Sequence, residues 1–561
     1  MKKENTFLLY AIVVFTGFLL ITNFFIPITY AINDDTTMKA IAAGTISGVP
    51  DGHLIFVKYS LGVIIAFLYK ILGGIDWYGC TMLGIILICV LLFAVRVKRL
   101  FKNNYVYGIL SLLAVFIIVI FENYVSFQFT VVSAIAAATA IFYYNTIDSK
   151  KEICWTEYII VIILALISFC VRYETFIMAL PFAGISFLFK DVKWKEKIIV
   201  GLLLLFGLGA ITITENLAYA SSDWQNYREY TKIRSRVYDY HGIPNYEKNK
   251  DFYDWLGMNE YDVENLQSYN LYLVEDVEDG IIQKIADYNA EKHEEKTIVQ
   301  QTKEVLRKLI KGYFLNSSVL INGLAKIILI ANIWFEIRNK RKTVWANILF
   351  FCLDIVLIFY LACQGRMVER VTTALFMIEF YSVLSIWCEE HQDKIERLLK
   401  NKLSKIILCG MIVLSTFMIF DVYNNQKSQY NKNLEWEELQ SFFAENSSNI
   451  YFVNAFDICR YTDNFNIFEK NSLKNYIKLG EWSSFSPVEQ AELNRNEIME
   501  VDEAIIQNEN IYLIFERPSE ALTNHYLEKY ESVEWIVVDE VRVNGKNMSV
   551  YKLQGEKNDK L

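Results

Sequence analysis

Residues 7–59 read FLLYAIVVFTGFLLITNFFIPITYAINDDTTMKAIAAGTISGVPDGHLIFVKY. The opening run is apolar over the roughly 20 residues that a helix needs to cross a hydrocarbon core of about 30 Å. Just beyond it stand two adjacent carboxylates, Asp34 and Asp35. Lys2 and Lys3 precede the run and no small-residue cleavage site follows before Asp34, so it reads as an uncleaved anchor. The acidic pair is therefore placed at the membrane surface. After it come a short helix over 36–43 stopped by Gly44, a Pro50-Asp51-Gly52 turn, and a basic, aromatic segment ending at Lys58 and Tyr59.

Apolar runs of similar character recur near 77–97, 104–121, 124–144, 156–171, 175–190, 197–215, 316–336, 343–363, 370–388 and 404–422. With the first they predict a polytopic α-helical membrane protein of about 11 spans, in keeping with 53% hydrophobic and 15% aromatic residues. Lys and Arg collect in every second connection: Arg96 to Lys102, Lys150 and Lys151, Lys190 to Lys197, Arg338 to Lys342, and Lys394 to Lys405. The positive-inside rule puts these connections and the N-terminus in the cytoplasm of a multi-pass cell-membrane protein. Counting 53–73 as a further span would place the Arg96 cluster outside. Lys58, Lys70 and the Gly73-Gly74 break fit a helix lying in or dipping into the outer interface.

On this topology the outer face receives a loop at 28–76, a large loop at 216–315, and the region 423–561, leaving 1–422 as the membrane bundle. The last region contains β-rich runs at 449–455, 510–516 and 533–553, a hairpin signal at Asn544-Gly545, and the amphipathic stretches WEELQSFFAEN and SEALTNHYLEKY. It reads as a small extracytoplasmic α/β domain. The net charge of −9 arises mainly from the loops and this region, which points away from a nucleic-acid partner. Nine cysteines fall singly, mostly in apolar runs, without zinc-ligand spacing, and read as small core residues.

The acidic pair is the leading chemical candidate. One carboxylate could act as a general base on a hydroxyl acceptor, and a pair could hold a divalent cation (Mg or Mn) through oxygen. Neighbours in sequence point in different directions, so one reading gives Asp34 the chemistry and makes Asp35 the cap of the helix that follows. Capping plus solvation for both is the alternative. Arg172 and Glu174 sit in a short outer turn, and Arg366, Glu369 and Arg370 in another. With Lys58 and His53 these form a cationic collar suited to a lipid phosphate or pyrophosphate, although salt-bridged helix ends account for the same residues. Glu122, Gln128, Glu174 and Tyr59 border the same face as candidate substrate contacts. Asp354 and Glu379 lie inside apolar spans, where ionisable groups have a function or an internal partner. Arg228, Lys232, Arg234 and Arg236 interleave with aromatics at the start of the large loop, an arrangement that suits sugar rings and phosphate.

The order of these elements resembles the GT-C superfamily of integral-membrane glycosyltransferases. The similarity is carried by the acidic pair in the first outer loop and the following GTISGVPDGHLIFVKYSLGVIIAFLYKILGG, which looks like the family's juxtamembrane helices. It covers about residues 1–210 in pattern and the remainder in architecture alone. The resemblance implies an inverting transfer from a polyprenyl-phosphate-linked sugar at the outer membrane face. Asp34 or Asp35 would be the catalytic carboxylate and Lys58, Arg172 and Arg366 the donor-phosphate contacts. The family's protein-glycosylating members carry a Trp-Trp-Asp-type motif that is missing here, which favours a glycan, teichoic-acid-like or lipid acceptor over a peptide. A transporter or flippase of lipid-linked saccharide and a non-catalytic envelope-assembly protein are the competing classes; the first would favour paired discontinuous helices, and no internal symmetry is visible.

Overall fold

The computed structural model describes residues 2–101, 105–148, 154–274, 280–294, 298–314, 318–339, 342–390, 402–469, 471–543 and 546–557. Among them, eight helices are long and apolar enough to cross a membrane: Thr6–Phe25, Trp77–Val97, Tyr105–Val125, Trp194–Ala218, Val319–Arg338, Val344–Cys363, Glu369–Glu389 and Ser404–Glu445. These coincide with eight of the expected spans. The other three form the helices Phe129–Asn145, Trp155–Val171 and Tyr173–Phe189, each of 17 residues. At 1.5 Å per residue each is about 25 Å long, short of a full hydrocarbon core. The ambiguous 53–73 segment forms Tyr59–Ile71, which at 13 residues is too short to cross. Of the basic residues that set the expected orientation, Lys102, Lys150, Lys151, Lys340, Arg341, Lys394, Arg397 and Lys400 lie outside the described residues.

Phe129–Asn145 is the axis of the bundle, with every residue buried. Its middle reads SAIAAATA over 133–140, and such small side chains let the helices Glu369–Glu390, Trp155–Val171 and Trp77–Val97 close in around it. Ser133 strengthens the contact by donating to the Ser168 carbonyl at 2.9 Å. The cysteines depart from the expectation of core residues: Cys89 and Cys388 are buried, whereas Cys154, Cys352, Cys363, Cys409 and Cys459 are exposed.

The acidic helix spans Asn33–Ala43, starting earlier than expected, and Ile32 occupies its N-cap without a side-chain bond. Asp35 therefore lies in the first turn and does not cap this helix. Gly44 ends it at φ 73°, with the Gly44 and Thr45 N–H groups donating to the Ile41 and Ala40 carbonyls. A side chain there would also overlap the backbone of Val49 and Pro50, so the turn needs glycine twice over. Asp76 anchors the far end of the loop. It is fully buried, caps Trp77–Val97 through the Gly79 N–H at 2.8 Å, and accepts from Tyr30 and Tyr69.

Helix Lys402–Glu445 runs unbroken for 44 residues, about 66 Å, through position 422 where the bundle was expected to end. Its last turns pack on a five-stranded sheet in the order Tyr476–Lys478, Ile450–Val453, Ile511–Phe515, Lys546–Lys557, Tyr530–Val543. The first three strands are parallel and the last two form an antiparallel hairpin. Asn544-Gly545 lies outside the described residues, between the paired Val543 and Lys546. SEALTNHYLEKY forms Glu520–Lys529, capped by the Ser519 hydroxyl.

The segment between Ile450–Val453 and Tyr476–Lys478 folds back onto the acidic loop through backbone bonds: Tyr30 N–H to Asp463 O, Phe465 N–H to Ile28 O, Asp76 N–H to Ile467 O and Lys474 N–H to Thr45 O. The large loop joins it where Tyr227 donates to the Trp482 carbonyl and Tyr272 N–H to the Leu479 carbonyl. Gly480 makes that approach possible, since a Cβ there would overlap the Tyr269 carbonyl oxygen. Acidic loop, large loop and C-terminal domain thus gather at one end of the bundle.

Candidate functional site

Where those three parts meet there is a cavity of about 330 Å³. Asp34 reaches it from the first turn of the acidic helix, with its side chain 20% exposed and Oδ2 4.0 Å from Arg370. Asp35 is turned away and fully buried. Its Oδ1 accepts from the Tyr78 hydroxyl at 2.7 Å and from the Phe129 N–H at 3.3 Å. Asp35 does have a terminus to satisfy, but it is that of the central helix, whose positive dipole end suits a carboxylate. The acidic pair therefore presents one carboxylate to the cavity, not two converging on a shared cation. Among the described residues no group of three or more His, Cys, Asp or Glu is placed to hold a metal ion.

Four arginines line the same cavity: Arg172, Arg234, Arg366 and Arg370. Arg172 sits on extended backbone between two helices, where its guanidinium lies 5.0 Å from the ring centres of Phe56 and Phe129 and its Nε 2.8 Å from Glu174. Arg366 stands 3.6 Å from Asp239, and Arg234 donates to the Tyr269 hydroxyl. Against Asp34, Asp239 and Glu174, the arginines leave this wall with one positive charge in excess. Burial raises the Asp34 carboxyl above its ordinary value against the opposing pull of Arg370 and Arg172. Burial raises Asp35 further, outweighing the Tyr78 hydrogen bond.

No family model, curated protein or solved structure matches this chain. The site must be read from its own geometry.

Arg172, Arg366 and Arg370 from the expected collar share the cavity with Asp34, and His53, Lys58 and Tyr59 do not line it. Lys58 pairs with Glu215 at 3.4 Å, and Glu215 also accepts from the Tyr59 N–H at 2.8 Å. Glu174 reaches the site only through its bridge to Arg172. Glu122 and Gln128 line a second cavity of about 260 Å³ that shares Ile32 and Arg370 with the first. Gln128 also caps the central helix, accepting from the Val131 N–H at 3.2 Å. Of the basic stretch in the large loop, only Arg234 faces the main cavity; Arg236 pairs with Asp287 at 3.4 Å, and Arg228 lies over the Tyr219 ring. The C-terminal domain supplies Trp436, Tyr461, Lys474, Tyr476, Lys478, Glu481 and Trp482, which no motif marks in the sequence.

His53 clamps the acidic loop to the large loop. Its Nδ1 lies 2.6 Å from Asp51 Oδ1, its Nε2 3.1 Å from the Ala218 carbonyl, and its ring stacks on Trp224 at 4.5 Å. Both ring nitrogens face acceptors, the arrangement that an imidazolium satisfies. Asp51, with Glu215 behind, raises the His53 pKa above its ordinary value although burial opposes it. A raised folded pKa gives stabilisation that is complete below the unfolded value and lost as pH rises through the folded value. Proteolysis of the 50–58 loop is expected to quicken as pH rises from about 6.5, and His53→Gln is expected to abolish that dependence. A rate independent of pH in the parent protein contradicts the clamp.

Proposed function

We propose that this protein transfers a sugar from a polyprenyl-phosphate-linked donor to an acceptor hydroxyl on the outer face of the cell membrane, the N-terminus being cytoplasmic and the C-terminal domain extracytoplasmic. The observation that carries the reading is the Asp34 carboxylate sharing one cavity with Arg172, Arg234, Arg366 and Arg370 in a chain rich in long apolar helices. In the reaction, Asp34 takes the acceptor proton while the acceptor oxygen attacks the anomeric carbon. The bond from that carbon to the phosphate oxygen breaks, and polyprenyl phosphate leaves with the electron pair. In-line displacement inverts the anomeric centre. The phosphate goes from one negative charge in the diester to about two in the leaving group, so the excess of positive charge on the arginine wall favours the transition state over the bound donor. The second cavity has an apolar side formed by Ile118, Val119, Leu320, Ile321, Val368 and Met418, opposite polar residues that include Glu122, Gln128 and Glu369, and that side offers the prenyl chain a place next to Arg370. The resemblance to GT-C glycosyltransferases points the same way.

Deleting the gene is expected to make a polyprenyl-phosphate sugar accumulate while a surface glycan, teichoic-acid-like polymer or lipid loses one sugar. An unchanged lipid pool together with unchanged surface glycans contradicts the proposal. Accumulation confined to the inner leaflet indicates translocation instead.

A further inference from the structure

We infer that the half of the cavity walled by the C-terminal domain binds a neutral saccharide, the acceptor of the proposed transfer; the inference rests on that reading for the role, not for the site. Three observations carry it.

The first is charge. The bundle-side wall has its excess of arginine, but the opposite wall is balanced. Lys478 lies 2.6 Å from Glu481, while Lys39, just behind the wall, lies 2.6 Å from Asp463 and 2.8 Å from Glu469. With Lys474, three lysines answer three carboxylates. That wall has no surplus charge with which to hold an anion, so the two ends of one cavity select different chemistry: an anionic headgroup at one and an uncharged, hydroxyl-rich group at the other.

The second is aromatic surface. Trp436, Tyr461, Tyr476 and Trp482 all line this half. Trp436 and Tyr461 lie parallel at 5.8 Å, and Tyr476 meets Trp436 edge-on at 5.2 Å. Flat faces with polar tips suit the C–H faces of a sugar ring and the hydroxyls at its edge. Trp436 and Tyr476 also pack into the domain core, so aromatic lining alone would not single out a ligand.

The third observation does. Trp482 is 7% exposed, packs against Phe56 at 4.7 Å, and its Nε1 has no hydrogen-bond partner. Indole N–H is a donor only, and buried donors are nearly always satisfied. Trp482 lines the cavity, and a saccharide hydroxyl oxygen that reaches Nε1 after a small shift of the side chain supplies the missing acceptor, while the carboxylates of Glu481 and Asp463, which line the same wall, accept hydroxyl protons.

The test uses the full chain in lipid nanodiscs. Its probes are decaprenyl phosphate, neutral trisaccharides of glucose, galactose and N-acetylglucosamine, and a glucuronate trisaccharide, with affinities from calorimetry. At least one neutral trisaccharide is expected to bind. Trp482→Phe keeps an aromatic face at the position but removes the N–H, and should weaken that binding about fivefold. Tyr461→Ala should weaken it about tenfold. Neither should change decaprenyl phosphate binding, whereas Arg370→Gln should weaken decaprenyl phosphate and spare the saccharide. The inference is overturned if no neutral trisaccharide binds, if both aromatic variants bind it as the parent does, or if glucuronate binds more tightly. Trp482-dependent saccharide binding without decaprenyl phosphate binding supports the saccharide site and overturns the donor reading.

Discussion

Asp34→Asn is expected to reduce sugar transfer by about 10²–10⁴-fold while leaving donor affinity equal or higher. The amide keeps the size of the side chain and its place beside Arg370, so the cavity wall and the acidic helix remain as they are. What it loses is the ability to take a proton. It also removes one of the three negative charges facing the four arginines, and an anionic donor therefore meets a more positive wall. The loss should fall on kcat and not on KM for the donor, as expected for a group that acts in the transition state. Asp35→Asn provides the contrast. Asparagine still offers Tyr78 and Phe129 an oxygen acceptor, and burial already disfavours the charge that it removes, so activity should stay within a few-fold. Asp35→Ala would strand both donors, at about 1–3 kcal/mol each, and should cost stability first. Transfer of labelled sugar from a polyprenyl-phosphate donor in isolated membranes decides among these, and an active Asp34→Asn beside an inactive Asp35→Asn reverses the assignment.

The division of labour between Asp34 and Asp35 was only half legible in the sequence. Adjacency says that two side chains diverge, and Asp is a good helix cap, but nothing local says which helix is capped. The answer depends on Phe129, 94 positions away. Apolar periodicity located the helices because burial in lipid acts on every residue of a run, and the hairpin and the β-rich stretches of the C-terminal domain were legible for a similar local reason. Arg172, Arg366 and Arg370 were legible because charge next to an apolar run is conspicuous. Trp436, Tyr461, Tyr476 and Trp482 were not, since aromatic residues in a soluble domain look like core until a second surface closes over them. Here that surface forms only because Gly480 admits the Tyr269 backbone and because Asp463, Phe465, Ile467 and Lys474 bond back onto the acidic loop. His53 and Lys58 differ: charge, and for Lys58 the resemblance, suggested a place beside the donor phosphate, whereas here they pair with Asp51 and Glu215 outside the lining of the main cavity.

Lys326→Met is expected to produce the largest loss of stability, about 3–5 kcal/mol, the range for removing one partner from a buried ion pair. Lys326 lies within Val319–Arg338, 2.7 Å from Asp354 and 2.5 Å from Glu379, two side chains on neighbouring spans with no exposure at all. The sequence shows Asp354 and Glu379 as carboxylates inside apolar runs in need of a partner; the lysine sits in an apolar run of its own, and only helix packing brings the three together. One cation serves two anions, so taking it away leaves both carboxylates without a counter-charge where water cannot reach them, and Asp354 keeps the Tyr313 hydroxyl, 3.2 Å away, as a donor. Methionine matches the lysine stem in volume, which confines the effect to charge. Replacing all three by apolar residues, Lys326→Met with Asp354→Leu and Glu379→Met, should recover most of the stability, because a buried ion cluster exchanged whole for packed side chains is close to neutral. The midpoint of thermal unfolding in detergent distinguishes the cases: a large fall for the single variant and recovery in the triple variant mark the cluster as the electrostatic tie among three spans, whereas an unchanged midpoint for the single variant removes that role.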